Sequence, residues 1–194
     1  VKPPMRAGIV HRLDKDTSGV IIAARDADAQ EFLSAQFRSR RTEKTYWAIV
    51  MGKPRTDSGT VDTWLARDSR DRKRFAVSAD GVGKRALSGY KLVWSAGGYS
   101  LLSLRLFTGR THQLRVHCKH LGCPILGDPL YGKLDKRFPD ATLMLHAMEL
   151  KICLPEETQM RAFHAPLPER FVQVLEALDM DRTRLSLYVH SLNI

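Results

Sequence analysis

Lys44-Thr45-Tyr46-Trp47-Ala48-Ile49-Val50 is aromatic and β-branched almost throughout, the composition that favours an extended chain packed on both sides. A central buried strand is expected there, with Tyr46, Ala48 and Val50 facing away from Thr45, Trp47 and Ile49. Further along, Tyr90, Leu92 and Trp94 alternate toward Gly97-Gly98, and Leu102, Leu104 and Leu106 alternate on the way back. That pattern predicts a hairpin with one buried face. Upstream, Ser18-Gly19-Val20-Ile21-Ile22-Ala23-Ala24 reads as a buried strand after a turn at residues 16–19, which places residues 11–14 just before the turn.

Helices fall between these strands. Asp26 is a candidate N-cap for a helix whose apolar residues are Ala29, Phe32, Leu33 and Phe37, and which ends in the basic run Arg38-Ser39-Arg40-Arg41. A second helix starts near Thr111, with Leu114, Cys118 and Leu121 on one face and Gly122 as its stop. Pro166-Leu167-Pro168 leads into a third, carrying Phe171, Val174, Leu175 and Leu178. The expected class is α+β, a mixed, largely antiparallel sheet with packed helices.

The 194 residues, 43% hydrophobic, suffice for one domain with a real core. Lys and Arg number 31 against 21 Asp and Glu, a formal net charge of +10, which favours a polyanionic partner without saying which. The mixed-sign stretch at 67–74 reads as a solvated loop able to touch phosphates. Three cysteines, Cys118, Cys123 and Cys153, are too few and odd in number for a disulfide scaffold, so a reducing cytoplasmic setting is expected. No apolar run is long enough for a bilayer, so no membrane partner is expected. The first residue is Val1 rather than Met, and Pro3 and Pro4 disfavour a helix, so an extended start inside a longer protein is expected.

Four segments carry the chemistry: His11-Arg12-Leu13-Asp14-Lys15-Asp16-Thr17-Ser18-Gly19, Lys44-Thr45-Tyr46-Trp47-Ala48, Gly109-Arg110-Thr111-His112-Gln113-Leu114-Arg115-Val116-His117, and Gly127-Asp128-Pro129-Leu130-Tyr131-Gly132. Together they resemble the RluA family of pseudouridine synthases. The likeness runs over about residues 8–178 and includes Leu145-His146-Ala147 and Phe163-His164-Ala165-Pro166-Leu167-Pro168. The resemblance implies a pseudouridine synthase catalytic fold over residues 1–178, without the segment that usually precedes the first motif. Residues 179–194 are a tail with no recognised counterpart, alternating in character from 185 to 190.

Read on its own, Asp14 beside Arg12 and Lys15 is either a turn carboxylate at the surface or an ionised reactive group. The resemblance makes it the catalytic residue, as nucleophile or as base. It implies that Arg115 orients that carboxylate bidentately, where the helix alone would allow a surface arginine. It implies that Tyr46 stacks on the target base, where the strand alone would allow a core tyrosine. Arg12 is either the wedge that replaces a flipped base or a cation keeping Asp14 charged. His11, Lys44, Arg110, His112 and Gln113 lie in the same motifs and are assigned to substrate binding.

The cluster His112, His117, Cys118, His120 and Cys123 has zinc-type donors, but helical geometry spreads them over different faces, and no metal is expected. No Gly-rich phosphate loop appears, so no cofactor is expected. The partner implied is structured RNA, large-subunit ribosomal RNA before transfer RNA, met by a monomer. Alternatives are an RNA-binding module without chemistry and a metal-dependent nuclease.

Overall fold

The computed structural model describes residues 8–191; the extended start expected at residues 1–4 lies outside them. Eight strands form one sheet: β1 (Ser18–Gly19), β2 (Glu43–Met51), β3 (Ser58–Arg67), β4 (Phe75–Ser78), β5 (Lys84–Ala96), β6 (Tyr99–Leu106), β7 (Leu145–Cys153) and β8 (Met160–His164). Their order is β1-β7-β2-β6-β5-β3-β4, with β8 also paired to β7. Only β1 runs parallel to its neighbour; every other pairing is antiparallel. The helices are α1 (Ala27–Arg38), α2 (Gln113–His120), α3 (Glu169–Ala177) and α4 (Arg182–Ser191). The expected α+β class and the largely antiparallel sheet are what the chain forms.

β2 lies between β7 and β6, and residues 46–50 are buried on both faces, as the aromatic and β-branched run predicts. Trp47, Ile49, Leu101, Leu102, Phe171, Leu175 and Leu178 are fully buried in the main core. Each such side chain contributes about 1.5–3 kcal/mol by leaving water. The β5–β6 hairpin turns at Gly97-Gly98, both at positive φ, the backbone that a tight two-residue turn requires. Its single buried face is a correction: Leu101 and Leu102 point to opposite faces and both are fully buried. A register shift between Leu92 and Trp94 pairs Leu92 with Leu102 but Trp94 with Leu101, so Trp94 leaves the face of Tyr90 and Leu92.

The seven-residue strand at 18–24 shrinks to Ser18–Gly19, and Ile21 is 57% exposed. The reason lies in where its backbone bonds go. Residues 8–24 fold back on themselves: Ala24 N donates to Gly8 O (2.8 Å), Ile9 bridges Ala23, and Ile22 N donates to Nε2 of His11 (3.0 Å). An apolar run therefore packs as one arm of a loop, with Val10, Val20 and Ile22 against Leu33 of α1 and Leu150 and Ile152 of β7.

Asp26 caps α1 by accepting from Ala29 N (2.8 Å), as expected. The buried face is turned from the expected one. Phe32 is 39% exposed, whereas Gln30 and Gln36 are buried. The Gln36 amide donates to Cys153 O (2.8 Å) and accepts from Cys153 N (3.0 Å), continuing the sheet's hydrogen bonding with a side chain where β7 ends. α2 ends where expected, with Gly122 at φ +78 just past it. Residues 182–191, whose pattern alternates from 185 to 190, form α4, and Met180 and Leu185 join the main core. Among the described residues no helix is long and apolar enough to cross a membrane.

Candidate active site

Asp14 stands at the tip of the folded-back segment. Thr17 N donates to Asp14 O (3.0 Å), closing a turn two residues earlier than the pattern at 16–19 predicts. Past the turn, β1 pairs with β7, Ser18 opposite His146 and Gly19 opposite Ala147. A Cβ on Gly19 would sit 2.2 Å from Ala147 O, and φ there is +120, so glycine is required for the turn to dock. Ser18 Oγ is held by His146 Nδ1 (2.8 Å) and by Arg170 Nη2 (2.7 Å) from α3. Ala147 is in turn opposite Tyr46 on β2. The sheet register thus brings Tyr46 level with the strand that follows Asp14, beside a bulge between Thr45 and Tyr46.

Arg115, in the first turn of α2, reaches Asp14 from the opposite side, with Nη1 3.5 Å from Asp14 Oδ2. The bidentate fork expected for Asp14 goes elsewhere. Arg115 Nε donates to Asp128 Oδ2 (2.8 Å) and Nη2 to Asp128 Oδ1 (2.7 Å). Asp128 Oδ1 also accepts from Leu130 N (2.9 Å) and Tyr131 N (3.0 Å). Burial alone would raise the Asp128 pKa, but Arg115 and the two amides outweigh it and hold the carboxyl below its usual range. Burial works against charge on Arg115 as well, and Asp128 more than restores it.

The guanidinium lies over the Tyr131 ring, 5.1 Å from its centroid. The Tyr131 hydroxyl accepts from Phe75 N (2.8 Å) and shares a hydrogen bond with His112 Nδ1 (2.9 Å). His112 stands at φ +56 just before α2. Burial lowers its pKa, favouring the neutral form.

A central cleft of about 120 Å³ opens between these groups. Asp14, Arg12, Tyr46, Arg110 and His112 line it, and Leu13, Leu106, Leu114 and Leu145 supply apolar walls. Burial, then the charge of Asp14, pushes the Tyr46 hydroxyl up to about 12, so it stays protonated near neutrality. Thr17 is in the cleft wall, and its Oγ1 is buried with no hydrogen-bond partner among the described residues. A neighbouring cleft of about 370 Å³ shares Arg12, Tyr46 and Arg110 and adds His11, Arg40 and Lys44.

Of the expected residues, Asp14, Arg115, Tyr46, Arg12, Arg110 and His112 converge. Gln113 also lines the cleft, yet its expected substrate contacts need correction. Its amide accepts from Thr108 Oγ1 and Arg110 N and donates to Leu87 O and Ser88 Oγ, all within 3.0 Å, and the residue is buried. It is a brace for the loop before α2. His11 is spoken for as well: it accepts from Ile22 N and stacks on Phe37, with ring centroids 4.6 Å apart. Burial, then the charge of Lys44, lowers its pKa to about 4. Burial, then Arg40, lowers Lys44 in turn.

The zinc-type donors are dispersed: His112 bonds Tyr131, His117 Nε2 bonds Thr63 Oγ1 (3.0 Å), and Cys118 is buried. The segment holding Asp128 and Tyr131 stood out in the sequence, but neither residue had a role assigned to it. The signal was present, a Gly-Asp-Pro turn with an acceptor placed to cap the following amides, but nothing local says that its other face meets an arginine thirteen residues earlier.

Solved structures place the fold. The human RNA pseudouridylate synthase domain containing 4 superposes with a TM-score of 0.76 at 30% identity, covering 90% of this chain and 76% of that one. Residues 3–120 match the family described as RNA pseudouridylate synthase, and the chain belongs to that family. Ribosomal large subunit pseudouridine synthase D of Borreliella burgdorferi is 48% identical over 168 residues, 87% of this chain and 51% of that protein. The protein of the same description from Haemophilus ducreyi is 40% identical over 191 residues, 92% of this chain and 58% of that one. The chain thus spans about half the length of the curated relatives it matches.

Proposed function

We propose that this chain carries the catalytic site of an RNA pseudouridine synthase acting on large-subunit ribosomal RNA, with Asp14 as the reacting carboxylate. The observation that carries the reading is Asp14 lining one cleft with Tyr46, with the Arg115 guanidinium 3.5 Å from its Oδ2. Family membership and the names of the ribosomal relatives support the reaction and the class of RNA.

A uridine stacked in RNA cannot offer its glycosidic bond to a carboxylate, so the nucleotide swings out at a cost of a few kcal/mol. The apolar walls and the Tyr46 ring suit a flat uracil, and Arg12 at the mouth suits the space the base vacates. The bond from the sugar's anomeric carbon to N1 breaks, the uracil turns, and a bond to C5 replaces it. The C5 proton is lost and N1 takes one up, so atoms and charge balance without a co-substrate. Asp14 acts at the anomeric carbon or on a sugar proton while Arg115 steadies its charge.

The groups named lie between Arg12 and Arg115, within the span 1–178 read as the catalytic domain, and Met180 and Leu185 carry its core past that bound. Three free thiols fit a reducing cytoplasm. The test is to map pseudouridine in ribosomal RNA from cells carrying the intact protein or its Asp14→Asn variant. Loss of one or more sites in the variant is expected; identical maps overturn the reading.

A further inference from the structure

A third cleft, of about 360 Å³, opens on the far side of Arg110, between β3, β4 and the loop that precedes α2. It shares Gly109, Arg110 and Thr111 with the central cleft, so the two meet along one wall. A Cβ on Gly109 would have no atom within 4 Å, which leaves the passage between them open.

Leu65, Arg67, Phe75, Lys84 and Arg110 characterise its lining, and no carboxylate is among the lining residues. Arg67 is held in place. Its guanidinium lies over the Phe75 ring, 5.4 Å from the centroid, and Nη1 donates to Arg72 O (2.7 Å). The loop supplying that carbonyl is itself ordered, with Asp68 Oδ1 accepting from Arg70 N (2.8 Å) and Asp68 N donating to Arg74 O (3.0 Å). Arg110 Nε donates to Arg85 O (3.0 Å), fixing a second cation at the boundary of the two clefts. Lys84 begins β5 opposite Leu65 and is exposed.

We propose that this cleft is a second nucleotide site, which takes a residue of the RNA flanking the uridine in the central cleft. A planar cation already stacked on an aromatic ring offers its other face to a base, and guanidinium planes stack on bases without regard to sequence. Lys84 and Arg110 supply charge for the phosphodiester between the two nucleotides. The volume lies in the range of sites that enclose a small ligand. The cleft is also joined to the active site through bonds, since the amide of Phe75 donates to Tyr131, whose hydroxyl holds His112. The role of this cleft is to hold the strand in register beside an extruded base, and the proposal rests on the central cleft being a uridine site.

The test uses the intact protein and unmodified large-subunit ribosomal RNA made by transcription. Arg67→Ala/Lys84→Ala is compared with wild type and with Arg55→Ala/Lys91→Ala, which removes equal charge near the opposite ends of β3 and β5. Expected for the first variant are a rise of about tenfold in KM, kcat within about twofold, and a dependence of log affinity on log salt flatter by about one. The control variant should shift KM by no more than about twofold. Thermal midpoints of all three proteins establish that each is folded. Active wild type with an unaffected first variant, or equal losses in both variants, overturns the second site alone. No pseudouridine from wild type overturns the central reading and this proposal with it.

Discussion

Two carboxylates meet one guanidinium in this protein, and they are held in opposite ways. Asp128 has no exposed side-chain surface, and two arms of Arg115 and two backbone amides bond it. The Asp14 side chain is 21% exposed and, among the described residues, has only the remaining arm, at 3.5 Å. The buried carboxylate has no surface to offer a substrate; its work is to aim Arg115. The loosely held one keeps its oxygens open to the cleft. Had the fork gone to Asp14, as the sequence motifs imply, the reacting group would be the immobilised one. The arrangement separates holding the cation from using it.

Exchanging the charge at each position should separate the two roles. Asp14→Asn is expected to lower turnover by at least about 10³-fold, the scale seen when a reacting group is removed. Its thermal midpoint should stay within about 2 °C, because little is bonded to that side chain. Assays on ribosomal RNA beside thermal unfolding check both halves. Asp128→Asn should reverse the balance. It leaves the Arg115 charge buried and half-paired at a cost of about 3–5 kcal/mol, which lowers the midpoint by on the order of 10 °C. Calorimetry decides it, and a midpoint unchanged by Asp128→Asn would refute the structural role.

Acid should find the buried histidines next. His11 and His117 both have pKa values lowered to about 4, mainly by burial. Between pH 6.5 and 4 the unfolded chain binds protons at these sites and the folded chain does not, so stability is complete above about pH 6.5 and falls with pH toward 4. Each contributes about 1–3 kcal/mol over that window, discounted for partial solvent access at His11. Urea unfolding at a series of pH values should show the fall, and His117→Gln should make it shallower. The low Asp128 pKa extends the loss in the same direction at still lower pH. Smallest of all, Tyr46→Phe should change turnover by less than about tenfold. The ring does the stacking, and a hydroxyl whose pKa is near 12 is a poor base at neutral pH. Single-turnover rates measure it.

Much of the fold was legible where neighbours in sequence decide the outcome. The strand at 44–50, the glycine turn of the β5–β6 hairpin, the Asp26 cap and the stop at Gly122 are short-range physics, and all formed as read. The failures share a cause. The run at 18–24 looks like a strand because it is apolar, yet its backbone partners are Gly8 and His11 across a loop. Gln30 and Gln36 look solvent-facing until Gln36 proves to be the hydrogen-bond partner of Cys153, 117 residues away. Gln113 sits in a substrate-binding motif, but four protein groups already satisfy its amide.

The sequence by itself therefore determined the α+β class, the doubly buried strand at 44–50, the positions of the caps, and the short set of residues from which the site is drawn. Only the tertiary structure decided which carboxylate takes the Arg115 fork and which motif residues brace the site. Periodicity and capping act over a few residues, so they are written locally. A buried ion pair depends on side chains whose separation in space is set by the register of a whole sheet, and no local pattern encodes that distance.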